Sequence, residues 1–183
     1  MTLNFEKEKL ISELKERKPK KVLVQLAEGI KQNAPEISEW IEQSLPGVEC
    51  IFSGETCWGA CSVAVQEAQA LGVDLIVHFG HAQFIPVDFP ILYMEVQDVL
   101  DLKPLLNKSL DSLKNYNKIG LSYSIQHRYD IENIKKFYES QGKTVTLSKK
   151  AGTNAYEGHI TGCEYRGLRA IQDSVDCFVI IGN

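Results

Sequence analysis

The chain repeats one pattern twice, and the repeat restricts the folds open to it. Cys61 is followed by an apolar-patterned run and then Val73-Asp74, Val77 and Gly80, while Cys163 is followed by a similar run and then Val175-Asp176, Val179 and Gly182. In both copies the Val-Asp pair falls 12 and 13 residues after the cysteine, and the closing glycine 19 residues after it. Upstream of each copy the pattern reads strand, helix, strand. Two such units with a cysteine at the same place predict two thiolates brought to one shared centre by internal pseudo-symmetry.

The rest of the chain agrees with an α/β fold of tandem homologous domains built from parallel βαβ units. Glu6 to Arg17 reads as a helix with Leu10, Ile11 and Leu14 on one face. Val22 to Val24 is a short apolar run suited to a buried parallel strand. Asn33 and Glu36 suggest a capping box with Pro35 in the first turn, and Ile37, Trp40, Ile41 and Leu45 give that helix a buried stripe. Strands are expected at Val48–Phe52, Val73–Phe79 and Ile91–Met94, with a helix between the first two that turns Ala64, Ala68 and Leu71 inward and stops at Gly72. A helical connection spans Asp98 to Tyr116, and the domain boundary is placed near Asn107, giving domains 1–107 and 108–183. The second half starts over: a strand at Ile119–Tyr123, a helix marked by Ile131, Ile134 and Tyr138 and ended by Gly142, a strand at Val145–Leu147, a loop, a helix from Cys163 to Gln172, and a strand at Cys177–Ile181. Strands alternating with helices of this length argue for parallel sheets whose ligands bind at the carboxyl ends of the strands. Both repeated cysteines fall on that side, each opening a helix.

Composition narrows the function classes. A net charge of −4 over 183 residues supplies no basic face for nucleic acid. No stretch approaches the roughly 18 apolar residues of a membrane span, and the charged N-terminus has no apolar core of a secretory signal. Five cysteines, an odd number, then point to a reducing cytoplasmic setting in which cysteines are core residues, catalysts or metal ligands. Cys50 and Cys177 lie inside strands and read as core. His78 also reads as a packed strand residue, whereas His81 and His127 follow strands at the ligand end. Cys57, four residues before Cys61, opens an alternative: a tetrahedral zinc site of Cys57, Cys61, Cys163 and His159 in a non-catalytic partner subunit. Phosphate-loop, HExxH, GxSxG and EF-hand patterns are absent, as is the Cys-x₃-Cys-x₂-Cys run of the main radical S-adenosylmethionine superfamily.

Five phrases in order carry a family resemblance: Val22-Leu23-Val24-Gln25 to Glu28-Gly29, Trp58-Gly59-Ala60-Cys61, His78-Phe79-Gly80-His81, Ile125-Gln126-His127 and Gly162-Cys163-Glu164-Tyr165. Together they resemble the archaeal enzymes of the first step of diphthamide biosynthesis, the 2-(3-amino-3-carboxypropyl)histidine synthases, over the N-terminal half of that family's length. The resemblance implies three homologous α/β domains that each give one cysteine to a [4Fe–4S] cluster, leaving one iron open to S-adenosylmethionine. It implies cleavage of the sulfonium Cγ–S bond and transfer of the 3-amino-3-carboxypropyl radical to the imidazole C2 of a histidine on translation elongation factor 2. By motif, the cluster ligands would be Cys61 and Cys163, with Gln25, Glu28, His81, Gln126 and His127 as cofactor contacts and a homodimer as the assembly. Quinolinate synthase, with three pseudo-symmetric domains around a three-cysteine cluster acting as a Lewis acid, is the competing plan. The sequence departs from the family at Ala27, at Ala82 and in Gly158-His159-Ile160-Thr161. It ends at Asn183, before the family's third domain and third cysteine, which suggests a fragment of a longer product.

Overall fold

The computed structural model describes residues 2–182. Its contacts divide into two compact units, one of Asn4–Val96 and one of residues 97–182 joined by Thr2 and Leu3. The division therefore falls at Val96, ahead of the Asn107 boundary that the sequence suggests. The helix Lys103–Leu113 explains the shift, because its Leu106 and Leu113 are buried in the same core as Ile119, Leu121 and Ile134.

In the first unit β1 (Lys21–Leu26), β2 (Glu49–Phe52), β3 (Leu75–Phe79) and β4 (Ile91–Met94) form one sheet in the order β2-β1-β3-β4, every pair parallel. Val22, opposite Cys50 and Leu75, sits in the centre of the sheet, and Val22 to Val24 are wholly buried as the continuous apolar run requires. Helices α1 (Lys7–Arg17), α2 (Ala34–Ser44) and α3 (Val65–Leu71) connect or flank these strands. Leu10 and Leu14 of α1 and Ile37 and Ile41 of α2 are fully buried, each worth about 1.5–3 kcal/mol relative to exposure. Ala68 of α3 packs with Leu23, Val73 and Ile76.

The second unit follows the same plan. Strands β5 (Lys118–Tyr123), β6 (Thr144–Leu147) and β7 (Cys177–Ile181) are parallel in the order β6-β5-β7, so the first strand of the unit is again the central one. Helices α4 (Lys103–Leu113), α5 (Ile131–Ser140) and α6 (Arg166–Arg169) accompany them. Cys177 faces Ile119 in register as Leu75 faces Val22, so it occupies the repeat position assigned to it from sequence.

The repeated Val-Asp pair has a structural cause. Asp74 Oδ2 accepts the backbone N–H groups of Lys20 (2.8 Å) and Lys21 (3.0 Å). Asp176 Oδ2 accepts those of Asn117 and Lys118, both at 2.8 Å. Each carboxylate clamps the entry of its unit's central strand, and the two bonds hold the Asp176 carboxyl below its ordinary range. Asp74→Ala and Asp176→Ala are expected to lower the thermal midpoint by only a few degrees each, since water can solvate the released N–H groups. Additive losses in the double variant, followed by circular dichroism, would match two independent clamps.

All seven expected strands are present to within two residues. The helices beside the repeated cysteines are not as expected. Helix α3 begins at Val65, and the Cys163–Gln172 stretch yields only the four residues of α6 followed by a 3-10 turn at Gln172–Ser174. Neither cysteine opens a helix; each lies in a turn that precedes one. Leu71 is 37% exposed instead of inward. Asn33 makes no side-chain cap, because the chain already enters α2 from a 3-10 turn at Glu28–Asn33. Gly72 ends α3 in the left-handed conformation (φ 62°), as its place after the apolar stripe predicts. Among the described residues no helix is long and apolar enough to cross a membrane.

Candidate functional site

In the first unit the site is built from the carboxyl end of β1. Gln25 is almost fully buried, and its amide spans the turn after Cys61: Nε2 donates to the Ser62 carbonyl (2.7 Å) and Oε1 accepts from the Ala64 N–H (3.1 Å). Two residues beyond β1, Glu28 Oε1 accepts from the Cys57 N–H (2.9 Å) while the Cys57 carbonyl accepts from the Glu28 N–H (3.2 Å). Lys31 Nζ lies 2.7 Å from the same carboxylate and also donates to the Glu55 carbonyl (3.0 Å). The Lys31 ammonium, with the Cys57 N–H, lowers the Glu28 pKa below its ordinary value. The loop before Cys61 is thus pinned at its start by Glu28 and at its exit by Gln25. Between those anchors Trp58 is 80% exposed and Cys61 is exposed as well.

Behind the turn lies a polar chain that sequence reasoning did not find. His78 of β3 is fully buried; its Nδ1 is 2.9 Å from Gln25 Oε1 and its Nε2 is 3.0 Å from His81 Nδ1. It is buried, as expected, but it belongs to the site and not to the apolar core. The signal was available: Gln25 and His78 are register partners on adjacent parallel strands, which puts their side chains on one face. Burial first, and then the neighbouring His81 ring, push the His78 pKa down to about 3 from the ordinary 6.5. Burial also lowers His81.

The sign of the resulting pH dependence is fixed. Between pH 6.5 and about 3 the unfolded chain takes up a proton that folded His78 refuses. The stability His78 contributes is complete above that window and is lost as pH falls through it, by up to ~1.4 kcal/mol per pH unit. Urea unfolding of the parent chain should therefore weaken more steeply between neutral pH and about pH 4.5 than that of His78→Gln. Equal slopes would contradict the buried neutral histidine.

In the second unit the corresponding loop is tied to the end of β5. The Tyr123 N–H donates to the Gly158 carbonyl (2.9 Å), the Ile160 N–H donates to the Tyr123 carbonyl (3.0 Å), and the Tyr123 hydroxyl donates to the Glu157 carbonyl (3.0 Å). Past the cysteine, buried Glu164 receives Arg166 Nε at 3.0 Å and the Arg166 N–H at 2.9 Å, which hold its carboxyl down to about 2. Asn154 Nδ2 donates to the Glu164 carbonyl (3.3 Å), and the Tyr165 hydroxyl donates to the Gly162 carbonyl (2.6 Å). Cys163 is exposed at the centre of this turn, 3.8 Å from Thr161 Oγ1. Gln126 and His127 lie in a 3-10 turn directly after β5, with Gln126 half-buried and His127 buried 3.7 Å from the Asp130 carboxylate.

The five cysteines separate by environment. Cys61 and Cys163 are exposed, whereas Cys57 is buried and Cys50 and Cys177 are partly so. Burial raises the thiol pKa of Cys57 and Cys177, and raises that of Cys50 to about 11. The repeated pair are therefore the cysteines most open to an incoming group. Soft sulfur donors on braced turns fit an iron–sulfur cluster.

A family model described as "Putative diphthamide synthesis protein" matches residues 26–183. The chain belongs to the diphthamide synthesis family. The 2-(3-amino-3-carboxypropyl)histidine synthase of Pyrococcus horikoshii is 28% identical over 161 residues, 87% of this chain and 46% of that protein. Subunit 1 of the synthase of Schizosaccharomyces pombe is 33% identical over 189 residues, 98% of this chain and 42% of its own length. The chain thus spans about half the length of the curated relatives it matches. The crystal structure of Dph2 from Pyrococcus horikoshii superposes with a TM-score of 0.89 at 26% identity, covering all of this chain and 53% of that one. The same values hold for Dph2 with a 4Fe-4S cluster. The tandem α/β fold expected from the repeat is the fold of this family.

Proposed function

We propose that this chain acts in the first step of diphthamide biosynthesis, transferring the 3-amino-3-carboxypropyl group of S-adenosylmethionine to a histidine of translation elongation factor 2. Cys61 and Cys163 would each give one thiolate to a [4Fe–4S] cluster. The observation that carries this reading is the selective exposure of those two cysteines, at repeat-equivalent turns, in a fold matching Dph2 with a 4Fe-4S cluster at a TM-score of 0.89.

A cluster held by these residues would, once reduced, supply the one electron that opens the Cγ–S bond of the sulfonium, releasing methylthioadenosine and the carbon fragment that bonds to the imidazole C2, from which one proton and one electron then leave. The chain's own residues hold the thiolates in place. Gln25 and Glu28 spend their hydrogen bonds on the Cys61 loop, so they act as positioning residues. His81, Gln126 and His127 are the remaining proposed contacts to S-adenosylmethionine. The assembly would be a homodimer, and fungal relatives are named subunit 1 of the synthase.

The test is an anaerobic assay of the iron- and sulfide-reconstituted chain with a reductant, carboxyl-labelled S-adenosylmethionine and elongation factor 2. Label on the histidine together with methylthioadenosine is the expected result. Zinc in place of iron and acid-labile sulfide after reconstitution would end the reading.

A further inference from the structure

The chain of buried polar groups behind the Cys61 turn has a second meaning. One ligand atom each from Cys57, His78 and His81 lie within 4.8 Å of one another, all inside the first unit. The tautomer of His78 is fixed by Gln25. The Gln25 amide is oriented by donating to the Ser62 carbonyl and accepting from the Ala64 N–H, so its oxygen must also be what His78 Nδ1 meets. His78 Nδ1 therefore carries the proton and Nε2 presents a lone pair toward His81. A carbonyl oxygen on one ring nitrogen and a lone pair on the other is the outer-shell arrangement of a metal-bound histidine.

The spacing agrees. His78 Nε2 and His81 Nδ1 are 3.0 Å apart, close to the ~3.3 Å that two zinc–nitrogen bonds of about 2.0 Å subtend at a tetrahedral angle. The sulfur of Cys57, on the loop held by Glu28, completes a three-donor face. Tyr93, the register partner of His78 on β4 with its ring centroid 5.5 Å from that of His78, has a buried hydroxyl with no hydrogen-bond partner among the described residues. A buried hydroxyl left unpaired costs about 1–3 kcal/mol.

We propose that Cys57, His78 and His81 form a binding site for a single borderline-soft cation of the zinc class, with a fourth position open to water or an exogenous ligand. The site is separate from the cysteines assigned to the cluster. Binding breaks the Cys57 S–H bond and releases that proton to solvent, and moves the His81 ring proton to Nε2. That nitrogen then faces away from the metal as a donor, so the site is compatible with His81 also touching a cofactor. Three protein ligands and one free position are the composition of a catalytic, not a purely structural, zinc site.

The experiment uses the full chain, freed of iron by chelation and titrated with Co²⁺ and then Zn²⁺. One equivalent of Co²⁺ should bind per chain, with tetrahedral d–d bands and a thiolate-to-cobalt charge-transfer band that Zn²⁺ removes. Cys57→Ser and His81→Gln should weaken binding by at least ~10-fold, and Cys57→Ser should lose the charge-transfer band. The Cys61→Ser, Cys163→Ser double variant should keep both. Octahedral cobalt without a sulfur band in the unaltered chain would overturn the proposal whether or not any variant folds. So would a band that survives Cys57→Ser and vanishes in the double variant.

Discussion

Alanine at Cys61 or at Cys163 is expected to abolish iron and acid-labile sulfide in the anaerobically reconstituted chain, while Cys57→Ala retains them. Losing a residue that only orients a ligand costs about 10–100-fold in metal affinity, so loss of a ligand atom itself should exceed ~100-fold. The contrast between cysteines follows from geometry. Cys61 and Cys163 are exposed on turns braced from both sides, and Cys57 is buried with its N–H on Glu28 and its carbonyl on the Glu28 N–H. Gln25→Ala belongs between these extremes. It removes the two bonds that hold Ser62 and Ala64, so iron retention should fall within the 10–100-fold range with the thiols still present. Iron and sulfide analysis of the four variants, read with their far-ultraviolet circular dichroism, decides the ligand set. Loss confined to Cys57→Ala would overturn it.

The fold was legible wherever the backbone alone sets it. Apolar runs such as Val22–Val24 have one use in a parallel sheet, whereas the repeated aspartates, Asp74 and Asp176, marked the repeat in the sequence but showed their clamp on the central strand only in the structure. Side-chain patterning was less reliable beside the cysteines. The sequence after Cys163 has helical spacing, yet Glu164 turns back to take the Arg166 N–H and guanidinium, so helix begins only at Arg166. The exposed thiols were found because the repeat marked them. The Gln25–His78–His81 chain was missed because its first link joins residues 53 apart in sequence. A histidine in an apolar strand looks like packing until the register places a glutamine beside it.

Gly167→Ala is expected to destabilise the second unit. Gly167 is buried, and its carbonyl accepts the Lys149 N–H at 3.2 Å, so α6 is held against the chain leaving β6 by backbone touching backbone. A methyl group there would fall well inside van der Waals contact of the Lys149 carbonyl oxygen, which no side-chain rotation can move aside. Relief requires α6 to part from the end of β6, at a cost of about 1–3 kcal/mol or more. Because Cys163 lies only four residues earlier, the same displacement should loosen its turn and lower iron retention after reconstitution, leaving the Cys61 turn of the other unit unaffected. Gly162→Ala is the matched control: nothing lies within 4 Å of its added carbon, although it is even nearer to Cys163. Urea midpoints and bound iron should both drop in Gly167→Ala and stay near the parent values in Gly162→Ala. Equal stability of the two variants would mean that the close approach of Gly167 to Lys149 does not set the position of the Cys163 turn.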